Sequence, residues 1–155
     1  MGRWLPGTAA LALLAALAGC SPPPPPPPTV VNLTLTATKD VNPNAGGQAA
    51  PVAVRVYQLE STSTFDNAEF FPLFNDDKTA LKTALVERDD YILAPGATKT
   101  VTLKPKDQVT ALGIFAAYQN FQQAKWRADV AVPAHKTTTV TVTFAKDGIT
   151  TKASP

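Results

Sequence analysis

"TTTVTVTFA", residues 137–145, alternates without a break. Val140, Val142 and Phe144 fall on one side, and Thr139, Thr141 and Thr143 on the other. Successive side chains of a strand point to opposite faces, so a period of two means one buried face and one wet face. The same pattern recurs along the chain. "VVNLTLTATKD" sets Val31, Leu33, Leu35 and Ala37 against Asn32, Thr34, Thr36 and Thr38. "PVAVRVYQLE" sets Val52, Val54 and Val56 against Ala53, Arg55 and Tyr57. "TKTVTLK" sets Val101 and Leu103 against threonines, and "KWRADVAV" sets Trp126, Ala128, Val130 and Val132 against Arg127 and Asp129. "ALGIFAAYQ" is apolar on both sides, as a central strand is, and "LVERDDYIL" reads as a further strand ending at the turn "APG". β-Branched residues, which suit a pleated, half-buried surface, are frequent throughout.

Only the stretch from Leu59 to Leu93 interrupts this pattern. "TFDNAEFFPLFNDDKTALKTAL" has helical spacing in two short pieces. Asp66 with Glu69 suits a capping box for the first, and Pro72 is expected to shorten or kink it. Asp76 or Asp77 suits the cap of the second, with Leu81 and Leu85 one turn apart. The expectation is about seven strands in a mainly β, two-sheet antiparallel β-sandwich over residues 30–151, with a short helical insert at about 65–85. A closed barrel is the structural alternative.

The N-terminus carries a different kind of information. Arg3 precedes the apolar run "AALALLAALA", which is too short to span a bilayer, since that takes roughly 20 residues. A positive start, a short apolar core and small residues at its end define a secretory signal peptide over residues 1–19. Leu17, Ala18, Gly19 and Cys20 then fit the bacterial lipobox, L-A/S-G/A-C, with the Cys20 sulfur as the lipid acceptor. The competing reading is a secreted protein with a chance cysteine; no second cysteine exists to form an intrachain disulfide. One acyl chain binds a membrane marginally, whereas several on one residue hold firmly. Ser21, rather than aspartate, favours export to the outer membrane. Pro22 to Pro28 lack N–H donors and have fixed φ. At about 3.1 Å per residue this polyproline reaches roughly 20 Å, a semi-rigid spacer within the tether at residues 20–29. A ligand for a proline-binding module is the competing reading.

From Cys20 onward the chain has 13 Lys and Arg against 12 Asp and Glu, interspersed, without the clustered basic face that nucleic-acid binding needs. Nothing points to catalysis, a metal or a cofactor. His135 is the only histidine and lies in the polar turn "VPAHKT". A metal site usually needs several ligands, and no nucleophile elbow accompanies that histidine. Asp76/Asp77 and Asp89/Asp90 are the only carboxylate pairs worth weighing, and such pairs are more often helix caps or solvated strand ends. The sequon Asn32-Leu33-Thr34 lies in a strand, and the lipobox points to bacteria.

Two stretches carry a family resemblance. "VNPNAGGQAAPVAVRVYQL", Val41 to Leu59, resembles the V-N-P…P-V-x-V-R-x-Y-Q-L block of the type VI secretion lipoprotein family called TssJ, SciN or VasD. "LGIFAAYQNFQQAKWR", Leu112 to Arg127, resembles its L-G-V-x-A…W-R block. "EFFPLFNDD" and "YILAPG" resemble two further segments, in family order. The long polyproline and Pro72 depart from the usual pattern. The resemblance implies a transthyretin-like sandwich and a non-enzymatic outer-membrane lipoprotein facing the periplasm. It also implies a partner, the periplasmic C-terminal part of the inner-membrane protein TssM, with TssL completing the complex. The alternative class is a periplasmic lipoprotein that binds a small molecule or acts as an envelope chaperone.

The resemblance places partner contact in the loop between the first two strands. Independently, "KDVNPNAGGQAA" is far longer than a hairpin turn of 2 to 5 residues. Asn42-Pro43 and Gly46-Gly47 form turns readily, and long loops on a rigid scaffold often carry binding. Lys39, Asp40, Val41, Asn42, Pro43, Asn44, Ala45, Gly46, Gly47 and Gln48 are therefore the candidate contact residues. Val41 stands out as an apolar residue that a solvated loop would not need.

Overall fold

The computed structural model describes residues 1–2 and 22–155. The signal peptide core and Cys20 lie outside the described residues. Among the described residues, eight strands form two four-stranded sheets. β1 (Val30–Ala37), β4 (Thr98–Leu103), β7 (Thr137–Ala145) and β8 (Gly148–Ser154) make one, in the order β4-β1-β7-β8. β2 (Val52–Leu59), β3 (Leu85–Leu93), β5 (Ala111–Ala116) and β6 (Arg127–Ala131) make the other, in the order β3-β2-β5-β6. The alternating apolar faces meet between them: Val31, Leu33 and Leu35 of β1, Val52, Val54 and Val56 of β2, and Val140, Val142 and Phe144 of β7 are all essentially inaccessible.

Three features differ from the sequence expectation. The eighth strand, "GITTKAS", extends beyond residue 151 to Ser154. Only Gly148 and Ile149 of that strand are buried, so no alternation announces it. β1 and β7 pair in parallel, because β7 arrives by a crossover rather than a hairpin, while the remaining pairs are antiparallel. Pro72 does not break its helix: α2 (Phe70–Leu81) starts at Phe70, so Pro72 sits in the first turn, where a missing N–H costs nothing. The kink falls instead at Asp76, whose φ of −151° and ψ of 72° leave the helical region.

The insert comprises α1 (Ser63–Asn67), α2 and a 3₁₀ turn, Lys82–Ala84. Neither Asp66 nor Glu69 makes the expected capping box; Glu69 is itself the N-cap of α2, with no side-chain cap bond. Asp76 does cap the second half of α2, accepting from the Thr79 backbone N–H at 3.2 Å. Hydrogen bonds from Thr79 hold its carboxyl below the usual carboxylate range. Leu81 is buried in α2, whereas Leu85 already begins β3. The insert covers the outer face of the β2–β5 sheet and builds a second core with Tyr57, Leu59, Phe65, Phe70, Leu73, Leu81 and Phe115. This explains why β5 is apolar on both faces and buried throughout.

The end of the polyproline segment is held by the sandwich. Thr29 is buried, and its Oγ1 accepts from the His135 backbone N–H at 2.9 Å. His135 Nδ1 lies 3.0 Å from the Pro27 carbonyl oxygen, and Val30 N–H donates to Lys136 O.

Candidate partner-binding surface

β1 runs from the tether end of the sandwich to the β1–β2 loop, residues 38–51. Eight strand residues at about 3.3 Å each separate the two by roughly 25 Å. The loop begins beside the β3–β4 turn, where Gly96 N–H donates to Thr38 O and Ala37 N–H to Ala97 O.

The ten candidate residues divide into anchors and tip. Val41 is 0% exposed and belongs to the main core. That is why an apolar residue stands in a polar loop. Asn42 is also buried, at 4% exposure, with a left-handed φ of 47°. Asparagine tolerates that conformation better than most residues. Its Nδ2 donates to Pro51 O at 2.8 Å, and its Oδ1 accepts from Gln119 N–H at 2.8 Å. One side chain thus ties the loop both to the start of β2 and to the β5–β6 connection. Pro43 and Asn44 are half-buried, while Lys39, Asp40, Ala45, Gly46, Gly47 and Gln48 are exposed. The tip closes on itself: Asn44 Oδ1 accepts from the N–H groups of Gly46 and Gln48, and Asn44 N–H donates to Gln48 O. A rigid, presented tip loses little conformational entropy on binding.

The other quoted blocks act on the insert. Arg55 Nη1 donates to Leu73 O at 2.7 Å and Phe74 O at 3.1 Å, carbonyls next to the α2 kink. It also lies 3.3 Å from Asp77. Tyr57 Oη donates to Asp77 Oδ2 at 3.0 Å, and burial pushes the Tyr57 hydroxyl well above its ordinary pKa. Arg127 donates to Phe65 O and Ala68 O, carbonyls at the C-terminal end of α1, while its Cζ stands 4.8 Å from the centroid of the Trp126 ring. Trp126 joins Phe115, Phe121 and Phe70 in an aromatic cluster, with Phe70 stacked 4.3 Å from Phe121. Gly113 faces this same layer; a Cβ there would sit 2.9 Å from Leu59 Cδ1 and 3.2 Å from the Phe65 ring.

The carboxylate pairs do not form a reactive dyad. Asp77 is a buried structural ion-pair partner, and Asp76 is a cap. Asp90 pairs with Arg88 and Arg55. Asp89, opposite Val56 in the ladder, faces the sandwich interior beside Gln58, and burial raises its pKa. Among the described residues no cluster of three metal-ligating side chains occurs, and no helix is long and apolar enough to cross a membrane.

The family described as "T6SS-SciN: Type VI secretion lipoprotein, VasD, EvfM, TssJ, VC_A0113" matches residues 29–147. The crystal structure of the T6SS lipoprotein TssJ1 from Pseudomonas aeruginosa aligns with a TM-score of 0.80 at 35% identity, over 83% of this chain and 98% of that one. Serratia marcescens Lip, a membrane-bound component of the type VI secretion system, aligns at 0.76 and 28% identity, over 83% and 99%. A chain of the solved structure of the T6SS protein TssM C-terminal domain from EAEC aligns at 0.67 and 21% identity, over 80% and 98%, a likeness of fold alone. No curated protein matches the sequence. Matched over most of its length in sequence and in fold, the chain belongs to the type VI secretion lipoprotein family that includes TssJ and VasD, a family of structural rather than catalytic proteins.

Proposed function

We propose that this chain is the outer-membrane anchor of a type VI secretion trans-envelope complex. Residues 1–19 direct export and are removed. Acyl chains on Cys20 hold the protein in the outer membrane with its sandwich in the periplasm, and Pro22 to Pro28 set the standoff. The exposed tip of the β1–β2 loop receives the periplasmic C-terminal part of TssM, and TssL completes the assembly.

The observation that supports this reading is the polarity of the sandwich. The tether enters beside His135 at one end. The loop tip is braced at the other end by Asn42. A part that links two membranes needs this separation of anchor and contact.

The test is retention of a TssM periplasmic fragment on immobilised protein comprising residues 20–155. The expected result is saturable retention that a loop-tip variant loses. Absence of retention by the unaltered chain overturns the reading.

A further inference from the structure

The polyproline rod joins the sandwich through one short backbone joint. Proline fixes φ, and a residue that precedes proline is held to an extended ψ. Pro22 to Pro27 each precede a proline, so both soft dihedrals are restricted in all of them. From Val30 onward the chain is paired in β1. Rotation between rod and sandwich is therefore left to ψ of Pro28 and to Thr29.

Among the described residues, three hydrogen bonds from two adjacent residues of the β6–β7 turn cross that joint. On the rod side, His135 Nδ1 lies 3.0 Å from Pro27 O. A carbonyl only accepts, so Nδ1 donates, as the imidazolium and the Nδ1–H tautomer both allow. Within the joint, His135 N–H donates to Thr29 Oγ1 at 2.9 Å, and Thr29 is 3% exposed. On the sandwich side, Val30 N–H donates to Lys136 O at 2.9 Å. His135 has a left-handed φ of 60°, a conformation in which histidine is over-represented. Pro22 to Pro28 are all exposed, which leaves these bonds, rather than burial of the prolines, to orient the rod.

We propose that His135 and Thr29 form a clasp that locks this joint, so that the polyproline rod and the sandwich turn as one body. A spacer on a free joint sets only a maximum reach, and its domain swings about the attachment point. A locked joint also sets a direction. The consequence for assembly rests on the reading under Proposed function: the β1–β2 loop meets its partner already oriented, and freedom given up beforehand is not lost again on binding.

The experiment measures the swing directly, with neither membrane nor partner. Residues 20–155 are produced without the signal peptide, which leaves the Cys20 thiol free for a nitroxide label. Thr141→Cys supplies the second labelling site, exposed on β7. Pulsed electron paramagnetic resonance gives the distribution of distances between the two labels. A chain with glycine and serine in place of Pro22 to Pro28 gives the width for a flexible tether. The unaltered tether is expected to give a distribution roughly half as wide or less. His135→Gly removes the ring and accommodates the positive φ, and Thr29→Val removes the hydroxyl while keeping a branched side chain. Together they are expected to broaden the distribution at least twofold, with unchanged circular dichroism. His135→Gly alone keeps every backbone donor and acceptor in place, and serves if the double variant fails to fold. A width equal to that of the flexible tether in the unaltered chain overturns the clasp. So does a narrow distribution that the folded variants leave unchanged. Either result leaves the anchor-and-contact reading standing, because retention of the TssM fragment tests that reading separately.

Discussion

Arg88 Nη1 donates to Asp77 Oδ2 at 2.8 Å, joining the edge strand β3 to the buried side of α2. Asp77 also receives Arg55 and Tyr57, both from β2. The carboxylate is therefore the point where the insert is fastened to its sheet. Asp77→Ala leaves the Tyr57 hydroxyl without its partner and leaves Arg55 and Arg88 with only the exposed Asp90 as counter-charge. Removing one member of a buried ion pair costs 3–5 kcal/mol. Both arginines are partly exposed, at 24% and 34% of their side-chain area, and solvent screens some of that. The expected loss is about 2–3 kcal/mol, read from urea melts. A loss below about 0.5 kcal/mol would show that the insert is held by its aromatic core alone.

The sandwich core sets a larger scale. Val54 is 1% exposed between the sheets, and Val54→Asp buries an unpaired carboxylate, at a cost on the order of 3 kcal/mol or more. Thr141 faces solvent on β7, and Thr141→Asp is expected to cost less than about 1 kcal/mol. Equal urea midpoints for the two variants would reverse the assignment of faces.

What the sequence disclosed follows from where burial is one-sided. Strands with one wet face, such as β1 and β7, announce themselves by threonine alternation. β8 was illegible because all but its first two residues are exposed. The insert was half legible. Helical spacing was visible, but whether Pro72 bends a helix depends on its distance from the helix start, which only the N-cap at Glu69 fixes. The family-like residues Arg55, Tyr57, Gly113, Trp126 and Arg127 carried a signal without a role. Their partners are carbonyls and rings far away in sequence. Within the loop, Val41 did give a signal, an apolar residue in polar company, and the structure turns it into a core residue. The role of Asn42 had none, because Gln119 is remote in the chain.

Asp89 gives the pH dependence a definite sign. Its Oδ2 is buried beside Gln58, whose contact offsets only part of the cost of that burial. Burial, then the neighbouring Glu87, raises its pKa above the ordinary 3.8. The folded state therefore holds this proton more tightly than the unfolded chain does. Between the ordinary pKa and the raised one, stability falls as pH rises, and at neutral pH the ionised group opposes folding. Asp89→Asn is expected to raise the urea midpoint at pH 7, with the gain shrinking as pH drops through that window. A gain that is constant with pH, or a loss at pH 7, contradicts this account.

Cys20→Ser tests the anchor separately from the fold. The sandwich begins at Val30, and the contacts nearest the tether involve Pro27 and Thr29. Folding is expected to survive the substitution, while acyl labelling disappears and the protein leaves the membrane fraction. Acyl labelling that persists in the variant would remove Cys20 as the lipid acceptor.

The β1–β2 loop separates binding from stability within a few residues, and two variants are expected to part accordingly. Replacing the whole loop with a two-residue turn would delete Val41 from the core and Asn42 from its two bridges, so any loss of binding would be mixed with unfolding. The cleaner change replaces only Asn44–Gln48 by Asn-Gly, a pair suited to tight turns. That keeps Val41, Asn42 and the bond from Ala50 N–H to Val41 O. Affinity for a TssM periplasmic fragment is expected to fall at least tenfold, about 1.4 kcal/mol, with an unchanged urea midpoint. Asn42→Ala should do the opposite first. It strips a left-handed residue of a side chain that suits that φ, and it orphans the part-buried Pro51 carbonyl and Gln119 N–H. The unfolding free energy read from the melts should drop by about 1–3 kcal/mol, while the exposed tip keeps its side chains. Calorimetry and urea melts on both variants give four numbers. If the tip variant binds as tightly as the unaltered chain, the tip is not the contact, and the helical insert around Phe70 and the exposed Phe71 becomes the next candidate.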